Sequence, residues 1–176
     1  ITFEKNRQAI YAEEAMGELS NLRFSYNTEY AIYSKNSPFN IHDSYFGNNQ
    51  RGIYLRTTSP TMPKLVNNSF ENNVEYAYDA DVYGFTLLAE NNFFTSTVGN
   101  TISLANGTLT DVDSTFYKNR IYKLGTITAP PTATVVIEPG AVLKFATVSS
   151  GLVVQGELIA GNQSAAPAIL TSWLDD

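Results

Sequence analysis

The 176-residue chain contains no cysteine and has only one histidine and one tryptophan. Without cysteine it can form neither a disulfide bond nor a thiolate metal site. No apolar run in the sequence reaches the length of about 18 residues that a membrane-spanning helix requires. The composition therefore excludes a disulfide-stabilised fold and a cysteine zinc site, and it predicts no membrane insertion.

Positive charge is also scarce. The chain has 11 Lys and Arg against 17 Asp and Glu, which gives a net charge of -6 at pH 7. Nucleic acids and anionic membrane surfaces repel such a chain over a Debye length of about 8 to 10 Å. Nucleic acid is therefore not predicted as a partner, and a polyanion is expected to bind only through a bridging cation.

A phenylalanine followed three residues later by asparagine recurs every 21 to 24 residues. The copies are Phe3/Asn6, Phe24/Asn27, Phe46/Asn49, Phe70/Asn73 and Phe116/Asn119, with Phe94/Thr97 as an imperfect copy. A period in the twenties, rich in asparagine and aromatic residues, is typical of a solenoid built from short strands. Each copy is therefore predicted to form one turn, or rung, of a coil.

Two further apolar or small positions keep a constant distance from the phenylalanine. Seven residues after it lie Ile10, Ala31, Ile53, Ala77 and Thr101, and five residues before it lie Leu19, Ile41, Leu65 and Ala89. Three inward positions per rung predict a triangular coil of three short strands, each paired in parallel with its equivalent one rung along. The asparagine column is expected to take left-handed dihedral angles at a tight bend and to form a ladder of side-chain amides.

These repeats resemble a known family. Residues 43–54 and 67–73 are similar to the degenerate repeats of right-handed parallel β-helix proteins, the pectate-lyase-like superfamily. The resemblance covers about residues 1–124. It implies an all-β fold, a right-handed parallel β-helix with about three short strands per rung of 21 to 24 residues.

The residue pattern of the sequence changes near Thr126. Pro130 and Pro131 remove two ladder donors, so residues 125–134 are predicted to form a proline-rich junction between the rungs of 1–124 and further rungs in 135–176. Pro139-Gly140 suits a type II turn between two apolar strands. The last block resembles the opening rungs of large exported bacterial β-helix proteins, so we expect the start of a truncated coil within a longer protein.

Enzymes of this superfamily act on acidic or neutral polysaccharides, but none of their catalytic motifs is found here. The Gly-His-Gly segment of the galacturonase type and the Asp-Pro-His-Glu segment of uronate epimerases are both absent. The single histidine, His42, precedes Asp43 and could act as an oriented general base. Such a pair at a turn is more often a solvated contact, so no catalytic residue is predicted.

Asp79 and Asp81 are the candidate metal ligands. They occupy a stretch where other rungs carry Ala12, Tyr33 and Leu55, and Glu75 lies near them in the sequence. Calcium prefers several carboxylate and carbonyl oxygens, and an Asp-x-Asp pair can supply two. Calcium is the only cofactor suggested, and the alternative is that the pair begins a loop.

Tyrosines recur at outward positions. Tyr11, Ile32, Tyr54 and Tyr78 lie eight residues after the phenylalanine, and Tyr30 and Tyr76 lie six residues after it. A stripe formed by Tyr11, Tyr30, Tyr54, Tyr76 and Tyr78 could stack on sugar rings or pack against a protein. Alternatively, the tyrosines cover the sheet through contacts with one another.

The sequence thus favours a non-catalytic module of a secreted or cell-surface protein, acting as an adhesin, spacer or assembly unit. The predicted partners are a polysaccharide, another surface protein, or further copies joined end to end. A carbohydrate-binding domain, or a polysaccharide lyase or hydrolase, is the competing hypothesis.

Overall fold

The structure, a computed structural model, describes residues 1–37, 39–57, 64–85, 92–95, 98–110, 113–161 and 166–175. Nearly all of its regular structure is short strand. The strands are β1 (Thr2–Glu4), β2 (Gln8–Glu13), β3 (Gly17–Ser20), β4 (Arg23–Ser25), β5 (Tyr30–Lys35), β6 (Phe39–His42), β7 (Tyr45–Gly47), β8 (Arg51–Arg56), β9 (Leu65–Val66), β10 (Ser69–Glu71), β11 (Tyr76–Ala80), β12 (Phe93–Phe94), β13 (Ile102–Leu104), β14 (Gly107–Thr108), β15 (Ser114–Phe116), β16 (Ile121–Leu124), β17 (Ile127–Ala129), β18 (Thr134–Ile137), β19 (Val142–Phe145), β20 (Leu152–Val154), β21 (Glu157–Ala160) and β22 (Ile169–Ser172). A single helical turn, α1, spans Val82–Phe85, and a 3₁₀ turn spans Val98–Asn100.

Every strand pairs in parallel with a strand about one rung away in the sequence. The largest sheet has eight strands in the order β2-β5-β8-β11-β13-β16-β19-β22, and a second has five in the order β1-β4-β7-β10-β12. Three smaller sheets have the orders β3-β6-β9, β14-β17-β20 and β15-β18-β21. The predicted all-β coil with about three strands per rung is confirmed. Within the residues described, no helix is long and apolar enough to cross a membrane.

The phenylalanine column forms a continuous stack through the core. The ring centroids of Phe3, Phe24, Phe46, Phe70 and Phe94 follow one another at 4.6 to 5.0 Å, and neighbouring planes differ by no more than 11°. Phe116 is also buried, but its ring lies 4.8 Å from that of Phe85. The stack therefore follows the repeat through its first five copies, and the sixth phenylalanine packs against the residue that ends α1.

One of the other two inward columns matches the sequence prediction. Leu19, Ile41 and Leu65 pair in register, as expected, while Ala89 lies outside the described residues. In the column seven residues after the phenylalanine, Ala31, Ala77 and Thr101 are buried as predicted, but they do not align with Ile10 and Ile53. Ile10 pairs with Ile32, Ile32 with Ile53, and Ile53 with Tyr78, because rungs two and four carry one extra residue after their asparagine.

Gly52 lies where two rungs approach closely. A Cβ atom at Gly52 would lie 2.2 Å from the carbonyl oxygen of Ala77, whereas a Cβ at Gly151 would meet nothing within 4 Å. We expect Gly52→Ala to lower the free energy of unfolding by about 1 to 3 kcal/mol, because backbone must move to admit the methyl group. Urea denaturation measures the change, and Gly151→Ala is the control, for which no loss is expected. Equal stability of the two variants would contradict the close approach.

The predicted asparagine ladder is present, with one change of member. The backbone N–H and the side-chain amide of each asparagine both donate to the Oδ1 atom of the next, at 2.8 to 3.2 Å. The members of this asparagine ladder are Asn6, Asn27, Asn49, Asn73 and Asn100. Asn100 takes the place expected for Thr97, which lies outside the described residues.

The expected left-handed conformation belongs to the residue before each of the first four ladder asparagines. Lys5, Tyr26, Asn48 and Asn72 have φ angles of 52 to 57°. The turn residue and the ladder residue are thus neighbours with separate roles. The turn directs the chain around the corner, which leaves the next amide free to point along the coil axis.

A second polar ladder runs two residues before the phenylalanines. Ser44 donates its backbone N–H to Asn68 Oδ1 at 3.1 Å, and Asn68 donates its side-chain amide to Asn92 Oδ1 at 3.0 Å. Sequence reasoning missed this ladder, although small polar residues recur at this offset. The two ladders satisfy polar groups at two corners of the coil.

Strands also flank the proline-rich segment. β17 ends at Ala129 and β18 begins at Thr134, and both pair with strands one rung along. The N–H of Ala141 donates to the carbonyl of Glu138 at 3.1 Å, and Gly140 has a φ of 86°, which confirms the type II turn at Pro139-Gly140. The domain boundary at 125–134 stays a prediction.

Candidate functional surface

The outer face of the eight-stranded sheet carries most of the predicted site residues. Tyr11, Tyr33 and Tyr54 form a stack with ring centroids 5.0 and 4.7 Å apart and nearly parallel planes. Tyr30 packs edge-on against Tyr33 and Tyr54 at 5.7 and 5.4 Å. We call these four residues the tyrosine cluster. Their geometry follows from the strand register, which places Tyr11, Tyr33 and Tyr54 side by side.

The predicted stripe needs one correction. Tyr78 is fully buried and belongs to the inward column, as does Ile32. Burial raises the pKa of the Tyr78 hydroxyl well above its ordinary value. The extra residue in rungs two and four moves the outward position one residue on, so Tyr33 occupies it in the second rung and Asp79 in the fourth.

Stacking limits what the tyrosine cluster can bind through its ring faces. Tyr33 lies between the rings of Tyr11 and Tyr54, so both of its faces are covered. The guanidinium of Arg56 lies 4.2 Å from the ring centroid of Tyr54 and covers that ring too. Tyr11 is the most exposed member, at 59%. The cluster therefore presents mainly ring edges and hydroxyl groups to solvent.

Charged side chains on this face pair between neighbouring rungs. The pairs are Arg7–Glu29 at 2.8 Å, Lys35–Glu13 at 2.7 Å, Arg51–Glu75 at 2.6 Å and Arg56–Asp79 at 2.8 Å. Each pair is partly exposed to solvent, so its contribution to stability is at most about 1 kcal/mol. Together they give the face alternating charge.

Asp79 and Asp81 are both engaged with protein groups. Asp79 Oδ1 accepts a hydrogen bond from Arg56, and Asp81 Oδ2 accepts one from the backbone N–H of Thr57 at 2.6 Å. Glu75 pairs with Arg51 and lies on the same strand edge. Among the described residues, no three His, Asp or Glu side chains are grouped to hold a metal. Calcium binding by this pair stays a prediction.

Tyr76 belongs to a second aromatic site farther along the same face. Its hydroxyl accepts a hydrogen bond from Lys123 Nζ at 3.1 Å. The same ammonium lies 4.4 Å from the ring of Trp173, whose other neighbour is Lys144 at 5.8 Å. Tyr76 thus contacts Lys123 of β16, and Trp173 lies against both Lys123 and Lys144 of β19. Sequence reasoning missed Lys123, which lies seven residues after Phe116, and Trp173, which lies outside the phenylalanine repeat.

His42 bridges two carboxylates at another corner of the coil. Its Nδ1 lies 2.7 Å from Asp43 Oδ2, and its Nε2 lies 3.2 Å from Glu18 Oε1. These carboxylates, Asp43 above all, raise the pKa of the His42 imidazole above its ordinary value. Lys64 lines the same hollow. Because both ring nitrogens face carboxylates, the arrangement favours a charged donor over a general base.

We expect this cluster to make stability depend on pH. A raised pKa means that the contribution of His42 is complete below its ordinary pKa of about 6.5 and is lost as pH rises through the folded value. The melting temperature of the natural chain should therefore fall as pH rises above about 6.5. His42→Gln should be less stable at the acidic end and lose this slope. The same slope in both proteins would show that another group titrates.

The sequence model of one protein family, described as "Right handed beta helix region", matches residues 1–137. No curated protein and no solved structure matches the chain.

Proposed function

Because the chain belongs to the right-handed β-helix family, we propose that it is a non-catalytic structural module of a secreted or cell-surface protein. Its role is that of a spacer, adhesin or assembly unit. The observation that carries this proposal is that the side chains most suited to chemistry are engaged with one another across rungs. Asp79 pairs with Arg56, and His42 bridges Glu18 and Asp43.

The same contacts suit a rigid rod. The phenylalanine stack and the asparagine ladder run along the coil axis and join each of the first five rungs to the next, and charge pairs also join the first rung to the second and the third to the fourth. In a solenoid, stability is close to a sum of such neighbour terms. A rod of this kind holds attached domains at a fixed distance.

Two measurements test the proposal. First, a polysaccharide-depolymerisation screen is run with and without calcium, on the natural chain and on Asp79→Ala. We expect no product from either protein, and product that disappears in Asp79→Ala would favour a lyase or hydrolase.

Second, an antiserum against the chain is applied to cells of the source organism. We expect labelling of intact cells, and labelling only after permeabilisation would contradict a surface location.

Carbohydrate binding is the alternative that one observation favours. Tyr11 is 59% exposed, so part of its ring is open to a sugar, and aromatic side chains with an apolar face and a polar tip suit such contacts. A glycan array on the natural chain and on Tyr11→Ala separates the two functions. Binding that is lost in Tyr11→Ala would favour the alternative, whereas silence in both supports the structural module.

End-to-end association of two copies is the proposed mode of assembly. In the described residues, β20, β21 and β22 each pair on one side, and Leu158 and Leu170 are 50% and 54% exposed. A strand that is paired on one side and carries exposed leucines can accept a further parallel strand, from the same protein or from another copy. Sedimentation velocity should show larger species as concentration rises, and Leu158→Lys should suppress them. A monomer at all concentrations would contradict this mode.

A further inference from the structure

Arg120 replaces an asparagine in the coil. In the first four rungs the ladder asparagine directly follows a residue with left-handed dihedral angles, and in the sixth rung that left-handed residue is Asn119, with a φ of 58°, which is followed by Arg120. The position that carries the asparagine ladder in five rungs therefore carries a guanidinium in the next. Departures from a repeat are the places where a function is expected to override the structural pattern.

The Arg120 side chain is held in one place. Only 5% of the residue is exposed, and its Nη2 donates to the carbonyl of Asn92 at 3.0 Å. The guanidinium carbon lies 5.1 Å from the ring centroid of Phe94 and 4.6 Å from that of Tyr117. Arg120 also forms a hydrogen bond with the hydroxyl of Tyr122. Burial raises the pKa of this hydroxyl to about 12. These contacts orient a buried cation before any ligand arrives.

A pocket of about 210 Å³ opens beside this guanidinium. Its walls include Phe93, Tyr117, Lys118, Asn119, Arg120 and Glu138. Phe93 is 56% exposed and presents an aromatic surface at the mouth. Glu138 accepts a hydrogen bond from the backbone N–H of Lys118 at 2.8 Å, so its carboxylate is tied to the rim. With two cations against one carboxylate, the pocket is locally positive on a chain of net charge -6.

We propose that this pocket binds a small organic carboxylate that carries a flat apolar group. The guanidinium of Arg120 supplies a fixed positive charge in the wall of the pocket, and Lys118 at the exposed rim can give a carboxylate a charge-assisted hydrogen bond. The apolar part of the ligand lies against Phe93 and Tyr117. The volume is below the range of about 300 to 1,000 Å³ typical of drug-sized ligands, so the ligand is small. This binding site is separate from the structural role proposed above.

Benzoate is the probe that tests the proposal on the whole chain. Arginine side chains are labelled with ¹⁵N, and benzoate is added while the Nε–H resonances are followed. We expect the Arg120 resonance to shift and saturate, whereas those of Arg7, Arg23, Arg51 and Arg56 hardly move. Benzamide, which is neutral, should give no shift. Equal shifts at all arginines, no shift at Arg120, or an equal response to sulfate would overturn the proposal.

Two variants locate the binding energy by titration calorimetry with benzoate. Arg120→Lys should weaken binding about tenfold or more, because lysine keeps the charge but not the ring and carbonyl contacts that hold that charge beside the pocket. Phe93→Ala removes an exposed wall of the pocket and should weaken binding several-fold while the protein stays folded. This variant therefore tests the proposal even if Arg120→Lys does not fold. Arg56→Lys, on the sheet face, is the control and should bind as the natural chain does. Unchanged affinity in Phe93→Ala and in folded Arg120→Lys would overturn the proposal.

Discussion

Replacing Phe70 by alanine is expected to lower the free energy of unfolding by about 3 to 5 kcal/mol. Phe70 is fully buried, and its ring lies 4.9 Å from that of Phe46 and 4.6 Å from that of Phe94. Removing it leaves a cavity in the middle of the stack, and neighbouring rungs cannot close that cavity because strand pairing fixes their spacing near 4.8 Å. Urea denaturation followed by circular dichroism measures the loss.

Phe93→Ala is the matched control for this experiment. It removes the same side chain from the same five-stranded sheet, but at a position that is 56% exposed. Its cost should stay below about 1 kcal/mol, since little apolar surface leaves water there on folding. An unchanged denaturation midpoint in Phe70→Ala, or equal losses in both variants, would refute the inward stack.

Comparison of the two phenylalanine positions also shows how far the sequence could predict the fold. The first five repeat phenylalanines keep their column because each lies at the same place in its short strand, paired with its equivalent one rung along. The tyrosines could not be placed by the same counting. One extra residue after Asn27 and another after Asn73 shift the next strand, so Tyr33 faces solvent while Tyr78 enters the core.

The positions of the candidate site residues depend on strand register even more strongly. Asp79 pairs with Arg56 because it stands beside Tyr54 in the sheet, a relation that offsets counted from the phenylalanine cannot give. Arg120 occupies the asparagine column because the sixth rung is shorter. Paired residues are 24 positions apart in the sequence at Tyr78 and Ile102, but only 20 positions apart at Ile102 and Tyr122. A repeat pattern predicts what every rung shares. It does not predict the side chains by which single rungs differ, and those are the residues that form sites.

Replacing Asn49 by alanine should be nearly as damaging as the loss of Phe70. Its Oδ1 accepts the backbone N–H and the side-chain amide of Asn27 at 3.1 and 2.8 Å, and its own amide donates to Asn73 Oδ1 and to the carbonyl of Phe24. Alanine leaves these buried groups without that partner, and each unsatisfied group costs about 1 to 3 kcal/mol. We expect urea denaturation to show a loss of about 2 to 5 kcal/mol in total. Asn40→Ala, at an exposed position where the side chain accepts one hydrogen bond from Lys64, should cost less than about 1 kcal/mol.

A double-mutant cycle between Asn49 and Asn73 distinguishes a connected ladder from independent bonds. If the amides act as one network, Asn49→Ala already removes part of what Asn73 contributes. The double variant should then lose less than the sum of the two single losses, with a coupling energy of about 0.5 to 3 kcal/mol. Additive losses would mean that each asparagine stabilises only its own corner. The ladder would then be a series of separate caps, and the stiffness proposed for the rod would depend on the phenylalanine stack and the paired charges.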